Sequence, residues 1–339
     1  MAPRKKKGNI ALFVPHAGCP QACVFCDQRQ ISGVQRPPDA REMEQAAERA
    51  AASPRLLREE SELAFFGGSF TAIPREEMLF YLREGEKLVR RFGLKGIRLS
   101  TRPDALDGEK MELLLAHGVT AVELGAQSFD PRVLQESRRG HTAEDTVRAA
   151  ELIKRAGCEL VLQLMTGLPG DSAAGAKESA RRAADLRPDA VRLYPCLVLR
   201  GTELARRYAA GEYRPQTLPE AVSLCGELLS LFRGRNIPVI KLGLHASSDF
   251  EGDALVAGPY HPAFRELVEG ALFLDEVERA VPRRAAVLRL SVAPDFLSTA
   301  VGCRRRNVEE LQHRLGCRQV EITADRDVER GDFTFEVIE

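Results

Sequence analysis

From residue 9 to about residue 244, short apolar runs alternate with longer amphipathic stretches. The apolar runs predict seven strands, at residues 10–14, 63–66, 97–99, 121–124, 160–165, 190–194 and 239–242. The stretches between them predict helices near residues 39–52, 75–92, 107–117, 142–156, 173–186 and 218–233. A strand, a crossover helix and a strand, repeated six times, predict a parallel sheet with right-handed crossovers.

The positions of unusual residues favour one of the two folds that fit this alternation. Polar or glycine-rich segments directly follow five predicted strands, at residues 19–26, 67–69, 100–102, 127–128 and 167–170. In a barrel these strand ends meet on one face around one site, whereas in an open doubly wound sheet they spread along a line. We therefore predict an α/β fold with a partial (β/α)6-type TIM barrel.

The alternation stops near residue 244, which predicts a core domain at residues 1–244 and a small α+β C-terminal subdomain at residues 245–339. Residues 245–262 are rich in Gly, Ser, Asp and Pro and predict a long loop. The remaining residues predict helices near 263–273 and 307–315 and strands near 286–292, 319–323 and 333–338.

Composition and apolar runs indicate the class of protein, whereas the net charge says little about its partners. Lys+Arg and Asp+Glu number 49 each, so the net charge argues neither for nor against nucleic acid, and a basic surface would have to be local. No apolar run approaches the ~20 residues that span a bilayer, and residues 10–14 are too short for the core of a signal peptide. We therefore predict a cytoplasmic protein with no membrane partner. Eight cysteines in such a chain do not indicate a disulfide framework.

Three of the cysteines, Cys19, Cys23 and Cys26, lie within eight residues directly after the first predicted strand. Thiolates are the ligands that iron–sulfur clusters and zinc prefer. A structural zinc ion and a plain [4Fe–4S] cluster each take four protein ligands, so three cysteines leave one iron of a cluster open to a cofactor or substrate. A Cys3His zinc site that includes His16 is the alternative, although structural zinc sites usually draw their ligands from two separated pairs.

The spacing Cys-x3-Cys-x-aromatic-Cys, with Phe25 at the aromatic position, resembles the signature of the radical S-adenosylmethionine (SAM) superfamily. The resemblance implies an enzyme in which Cys19, Cys23 and Cys26 hold a [4Fe–4S] cluster. The fourth iron would bind SAM, and an electron donor such as flavodoxin or ferredoxin would reduce the cluster. SAM would then be cleaved to methionine and a 5′-deoxyadenosyl radical that abstracts hydrogen from a substrate.

Further segments resemble the SAM-binding motifs of this superfamily, in the same order along the chain. They are Gly67-Gly68-Ser69-Phe70, the segment from Ser100 to Asp104, the segment from Gly125 to Phe129, the segment from Arg138 to His141, and the segment from Gln163 to Gly170. The resemblance implies that SAM is held by Phe25, Gly67, Gly68, Ser69, Ser100, Gln127, Arg139 and Gln163. Among these, Arg139 would pair with the SAM carboxylate. No substrate residue follows from the resemblance, and Tyr194 is a candidate because a barrel would aim it inward.

Within the superfamily, residues 9–235 look most similar to the catalytic subunit of Elongator and its bacterial relatives, which modify the wobble uridine of transfer RNA (tRNA). This chain ends about two hundred residues too early for the acetyltransferase domain of that subunit, so we expect that domain to be absent. The oxygen-independent coproporphyrinogen oxidase family is an alternative, but Ser100 replaces its usual acidic residue. A non-catalytic adaptor that binds zinc or RNA is an alternative of another class.

Residues 287–323 resemble the element order of a KH module, in which a basic Gly-x-x-Gly loop between two helices clamps the nucleic-acid backbone. Here the loop is Gly302-Cys303-Arg304-Arg305-Arg306, and Arg305 replaces the second glycine. Two interpretations remain open, an RNA-binding loop and a simple capping subdomain. RNA is therefore a candidate partner besides SAM.

Overall fold

The computed structural model describes residues 7–14, 18–19, 23–27, 33–244, 254–281 and 286–338, and His16 and residues 4–6 lie outside these ranges. In chain order the elements before residue 244 are β1 (Asn9–Phe13), α1 (Ala40–Ala51), β2 (Glu62–Phe66), α2 (Arg75–Phe92), β3 (Gly96–Thr101), α3 (Gly108–Ala116), β4 (Val119–Gln127), α4 (Pro131–Glu136), α5 (Ala143–Arg155), β5 (Glu159–Thr166), α6 (Ala173–Asp185), β6 (Ala190–Pro195), β7 (Val198–Leu199), α7 (Glu203–Ala209), α8 (Leu218–Gly234) and β8 (Val239–Leu242). The elements after it are β9 (Leu255–Ala257), α9 (Phe264–Ala280), β10 (Val287–Val292), α10 (Leu297–Val301), α11 (Arg306–Leu315), β11 (Gln319–Ala324) and β12 (Phe333–Ile338).

The main sheet has seven strands in the order β1-β2-β3-β4-β5-β6-β8. Its pairs from β1 through β6 are parallel, as crossover helices require. Strands that follow each other in the sheet also follow each other along the chain from β1 to β6, as expected of a barrel rather than of a doubly wound sheet. The two end strands are not neighbours in this order, so the sheet is a partial barrel. The predicted fold class is confirmed.

The helix ends show why the local sequence folds as it does. Thr142 caps α5 and forms a capping box with Asp145, as its sequence predicts, and Gly157 follows the helix with a φ of 71°. The apolar face of α5 is buried at Ala149, Ala150 and Ile153. Alternation of buried and polar residues along the strands then separates the helix-covered face of the sheet from its inner face.

The inner face carries a buried network of charged side chains. Arg98, on β3, lies between apolar Ile97 and Leu99 and is only 2% exposed. Its Nε and Nη2 donate to Glu62 Oε2 at 2.8 and 2.7 Å, and its Nη2 also donates to Glu159 Oε1 at 2.6 Å. Nη1 lies 3.3 Å from Glu123 Oε1, which also accepts from Arg192 Nη2 at 2.7 Å. Three carboxylates thus compensate the buried Arg98 charge inside the barrel.

Two compact units are distinguished by their internal contacts. The first comprises residues 1–216, 231–241 and 247–259, and the second comprises residues 217–230, 242–246 and 260–339. The domain boundary at residue 244 stays a prediction. β9 lies within the residues predicted as a long loop and pairs antiparallel with β7. No helix in the described ranges is long and apolar enough to cross a membrane.

The second unit contains a three-stranded sheet in the order β11-β10-β12. β10 is parallel to β11 and antiparallel to β12. Leu288 and Leu290 of β10 pack in one apolar core with Phe273 of α9 and Leu311 of α11. Helix α9 continues to Ala280, beyond its predicted end at residue 273, because Leu274 and Val277 extend its buried face.

Candidate active site

Three loops that follow strands of the first unit lie against one another at one end of the sheet. Ser69, after β2, is fully buried, and its hydroxyl lies 3.0 Å from the Thr101 hydroxyl at the end of β3. The same Ser69 oxygen accepts the backbone N–H of Arg102 at 3.2 Å, and the backbone from Ser69 to Ile73 lies directly against Gly18, the neighbour of Cys19. The loops after β1, β2 and β3 therefore meet, as a barrel arrangement predicts.

The loop that carries the cysteines is anchored by its backbone and by an apolar cluster. The Val24 N–H donates to the Ser137 carbonyl at 3.2 Å, and the Val24 carbonyl accepts from the Leu204 N–H at 2.8 Å. Cys23, Val24 and Phe25 are buried in one cluster with Val133 and Leu168, together with Cys196, Val198 and Leu204. Phe25 therefore helps to fix this loop in the fold.

The structure brings two of the three cysteine thiols near each other and near positive charge. Burial raises the pKa of the Cys19 thiol, and the nearby Cys23 raises it further, while the charges of Arg139 and Arg102 act in the opposite direction. Cys26 lies on the same turn, since its N–H donates to the Cys23 carbonyl at 3.1 Å. No group of three His, Cys, Asp or Glu side chains is gathered at metal-binding distance within the described residues. The three-cysteine ligand set thus stays a prediction.

Arg139 is buried and lies beside the cysteine loop, although 116 residues separate it from Cys23. Its Nη1 donates to Cys23 Sγ at 3.0 Å and its Nη2 donates to the Gly125 carbonyl at 2.5 Å. Its Nε is buried and has no hydrogen-bond partner in the described part of the chain. The side chain is thus fixed at the site with donor capacity left over, and its pairing with the SAM carboxylate stays a prediction.

Gln127, Gln163 and Ser100 lie at neighbouring positions on the sheet. Gln163 Nε2 donates to Gln127 Oε1 at 3.3 Å, and Ser100 Oγ lies 3.5 Å from the Phe65 carbonyl oxygen. Gln127 has a φ of 64°, and the register of β4 against β5 shifts between Leu124 and Gln127. A non-glycine residue in the left-handed region beside a bulge is a feature that functional sites often contain.

The glycines of the site leave space where a side chain would otherwise stand. Gly67 has a φ of 96°, a conformation that only glycine adopts without strain. A Cβ at Gly125 would lie 3.1 Å from Gln127 Nε2 and 3.3 Å from Arg139 Nη2. Gly67 and Gly68 are only partly buried, in contrast to the first four residues of β2, which are buried. These glycines give a ligand close access to backbone carbonyls.

These residues fit a three-cysteine iron–sulfur cluster with a bound cofactor. Three thiols would provide the soft ligands, and the buried nitrogen atoms Arg139 Nε and Arg102 Nη1 have no hydrogen-bond partner among the residues that the structure describes. His141 Nε2 lies 3.2 Å from the Ala126 carbonyl oxygen, and burial together with the Arg139 charge lowers the pKa of His141 to about 4. His141 is therefore neutral near pH 7 and adds no third cation.

Tyr194 shares the inner face of the sheet with Arg192, whose Nη1 lies 3.5 Å from the Tyr194 hydroxyl.

The sequence motifs assigned no role to three further residues of the candidate site, namely Arg102, Asp104 and His141. Arg102 and Asp104 lie within the quoted third-strand motif, and His141 ends the Arg138–His141 segment. Charged residues directly after an apolar strand were the signal that could have identified the first two.

Comparison with known proteins decides the class. A sequence model of the radical SAM superfamily matches residues 13–183, half of the chain, and a model of the radical SAM C-terminal domain matches residues 188–273. The chain belongs to the radical SAM superfamily. Enzymes of this superfamily use a [4Fe–4S] cluster and SAM, so the predicted enzyme class and cofactors are confirmed. The roles of individual residues stay predictions.

The sequence is also similar to curated proteins whose names refer to tRNA or to Elongator. A tRNA uridine(34) acetyltransferase of Methanocaldococcus jannaschii is 38% identical over 129 residues, which are 37% of this radical SAM chain and 24% of that protein. Elongator complex protein 3 of Mus musculus is 27% identical over 284 residues, 77% of this chain and 47% of that protein. The matched part is therefore less than half the length of either relative.

Among solved structures, the archaeal Elp3 of Methanocaldococcus infernus matches with a TM-score of 0.62 and 24% identity. The match covers 81% of this radical SAM chain and 63% of the archaeal chain. At this identity the match supports the fold alone. The expected resemblance to the catalytic subunit of Elongator is confirmed by the sequence relatives.

The Gly18→Ala variant is expected to disturb the cysteine loop. Gly18 has a φ of 70°, and a Cβ there would lie 2.7 Å from the Ile73 backbone nitrogen, so both backbone strain and a clash oppose any side chain. We expect less than half of the wild-type iron per chain after anaerobic reconstitution. The matched control is Gly93→Ala, with a φ of 65° and no atom within 4 Å of the new Cβ. Equal iron contents in the two variants would contradict a specific role for Gly18.

Proposed function

We propose that this radical SAM enzyme uses its cluster to modify RNA, with tRNA as the substrate class. The proposal assigns Cys19, Cys23 and Cys26 as cluster ligands and Gly67, Gly68, Ser69, Ser100, Gln127, Arg139 and Gln163 as residues that hold SAM, beside Phe25. The observation that carries the assignment is the meeting of the loops after β1, β2 and β3, with Arg139 on Cys23. Held by Cys19, Cys23 and Cys26, a bound cluster would supply the one-electron reductive chemistry that cleaves SAM.

The residues of this chain contribute orientation and exclusion of water. Arg139 would hold a carboxylate beside the cysteine loop, and the Gln127–Gln163 pair would face the ribose of SAM. Val24, Phe25 and Leu168 form an apolar layer under the loop that keeps water away from it. A cytoplasmic flavodoxin or ferredoxin would serve as the electron donor, consistent with the absence of disulfides among the eight cysteines, all of which the structure describes.

RNA as the substrate is supported by relatives and by a local basic surface. Both named sequence relatives carry names tied to tRNA modification or to Elongator. Arg304, Arg305 and Arg306 are exposed at the junction of α10 and α11, and Arg304 and Arg305 form no salt bridge with any described residue. Unpaired guanidinium groups suit phosphodiester oxygens. We include this loop in the proposal as an RNA-docking surface.

The proposal is tested in an anaerobic assay with reconstituted enzyme, SAM and dithionite. Unmodified tRNA is added with and without acetyl-CoA, and 5′-deoxyadenosine and digested nucleosides are measured by mass spectrometry. We expect tRNA to stimulate 5′-deoxyadenosine formation and a new nucleoside to appear. Stimulation by coproporphyrinogen III, with none by tRNA, would contradict the proposal and favour the coproporphyrinogen oxidase alternative.

RNA docking is measured separately as tRNA affinity at several salt concentrations. Replacing Arg304, Arg305 and Arg306 together by alanine is expected to weaken tRNA binding. It should also reduce the slope of log affinity against log salt concentration by the amount that corresponds to roughly two to three phosphate contacts. The matched control removes three exposed arginines elsewhere, Arg148, Arg155 and Arg181. Equal losses in the two triple variants would mean that only net charge matters and would contradict a specific docking surface.

A further inference from the structure

A second guanidinium lies at the cysteine loop besides Arg139. Arg102 follows β3 and is 5% exposed, a degree of burial that is costly for a cation unless the site compensates it. Its backbone N–H donates to the buried Ser69 hydroxyl, and the Ser69 backbone lies against Gly18, beside Cys19, where it lowers the pKa of the Cys19 thiol. The backbone of Arg102 is therefore held by a residue that lies beside the cysteine loop.

One edge of the Arg102 guanidinium is fixed by a carboxylate, and the nitrogen outside that edge has no hydrogen-bond partner within the described residues. Nε and Nη2 donate to the two carboxylate oxygens of Asp104 at 3.0 and 2.8 Å, a bidentate pair. Nη1 is buried and has no hydrogen-bond partner within the described residues. A buried donor without a partner destabilises the folded state, so its presence in a folded protein calls for a group that it serves.

The charges around Arg102 indicate which group its Nη1 donor serves. Cys19 and Cys23 both lie within electrostatic range of the guanidinium, because both raise the pKa of Arg102 and Arg102 in turn lowers the pKa of Cys19. Asp104 is the carboxylate that pairs with it, Arg139 is the second cation, and His141 is neutral because burial lowers its pKa. Arg139 donates to Cys23 and to Gly125, whereas Arg102 Nη1 has no hydrogen-bond partner within the described residues.

We infer that Arg102, oriented by Asp104, stabilises the reduced state of the cluster and thereby raises its reduction potential. In the reduction step one electron passes from an external one-electron donor to the cluster, no bond is formed or broken, and the cluster becomes more negative by one charge. A fixed, buried cation favours that extra negative charge in a medium of low dielectric constant. The inference goes beyond the proposed RNA substrate and does not depend on it.

The test is a potentiometric titration of the reconstituted full-length chain, followed by electron paramagnetic resonance of the reduced cluster. Replacing Arg102 by glutamine removes the charge and is expected to lower the midpoint potential, changing the ratio of reduced to oxidised cluster at least tenfold at fixed potential. For a one-electron couple that change corresponds to about 59 mV. Arg102→Lys keeps the charge and is expected to recover at least half of the shift.

Iron and sulfide per chain and the melting temperature are measured for each variant, so that loss of the cluster is not mistaken for a change in potential. If Arg102→Gln loads no cluster, the midpoint potentials of Arg102→Lys and Asp104→Asn are compared with the wild type instead. Asp104→Asn keeps the cation but removes the negative charge and half of the bidentate pair. We expect Asp104→Asn to leave the potential equal to or above the wild-type value. Arg181→Gln, an exposed arginine paired with Glu178, is the control and should leave the potential unchanged.

A loaded Arg102→Gln cluster with the wild-type potential would overturn the inference, as would equal shifts in the glutamine and lysine variants. A wild-type chain that binds no iron would overturn this inference and the ligand assignment together. A wild-type cluster that is reduced normally but shows no response to tRNA would contradict only the proposed substrate.

Discussion

Replacing Cys26 by alanine is expected to lower the iron content from about four per chain to less than one and to abolish 5′-deoxyadenosine formation. With one of the three proposed thiolate ligands missing, two irons rather than one lack a protein ligand, and the cluster is lost. Iron and acid-labile sulfide are measured after anaerobic reconstitution, and 5′-deoxyadenosine is measured by mass spectrometry with SAM and dithionite.

The control for this variant is Cys303→Ala, which removes an exposed thiol from a different part of the sequence. It should retain wild-type iron and wild-type SAM cleavage. If Cys26→Ala retained four irons and full activity while Cys303→Ala lost them, the ligand assignment would be wrong. One zinc per wild-type chain in place of iron would likewise exclude the cluster and support the zinc alternative that the sequence left open.

Replacing Arg98 by methionine is expected to lower the free energy of unfolding by about 3–5 kcal/mol, the usual cost of removing one partner from a buried ion network. Methionine fills a similar length, so the loss reports the charge more than the volume. Without Arg98, Glu62 and Glu123 remain buried at 0% and 3% exposure with too little positive charge around them. Burial already raises the pKa of Glu123, although Arg192 and Arg98 oppose that effect.

Stability is measured by urea unfolding, with Arg181→Met as the control. Arg181 is half exposed and pairs with Glu178 three residues away, so its loss should change the unfolding free energy by less than about 0.5 kcal/mol. Adding Glu62→Gln to Arg98→Met should recover part of the loss, since it removes one uncompensated charge. An Arg98→Met variant within about 1 kcal/mol of the wild type would show that the network is not a determinant of stability.

The sheet and its helices could be predicted because their signals are local. Each strand of the main sheet contains an apolar run, and each helix carries an apolar face with a 3.6-residue period, so hydrophobic burial is encoded within windows of five to fifteen residues. The three elements that went unpredicted before residue 244, β7, α4 and α7, have two, six and seven residues. Such short segments hold too few periods to be distinguished from a loop.

The candidate site was predictable to the extent that it follows strand ends. Cys19 and Gly67 follow strands, while Ser100, Gln127 and Gln163 lie in the C-terminal halves of β3, β4 and β5, and a parallel barrel brings such positions together whatever the details of packing. The sequence alone also indicated the superfamily, since the cysteine spacing and the later motifs resemble the radical SAM signature, and the match of a superfamily model confirms it.

Only the tertiary structure decided which buried charges meet. Arg98 joins Glu62, Glu123 and Glu159, which lie 36, 25 and 61 residues away, and Arg139 reaches Cys23 across 116 residues. These contacts depend on the register of parallel strands and on the curl of the sheet, which no local pattern encodes. A charged residue within an apolar strand shows that the inner face is polar, but its partners are set by the strands placed beside it. For the same reason the partnerless nitrogen of Arg102, on which the inferred control of the cluster potential rests, became visible only in the folded chain.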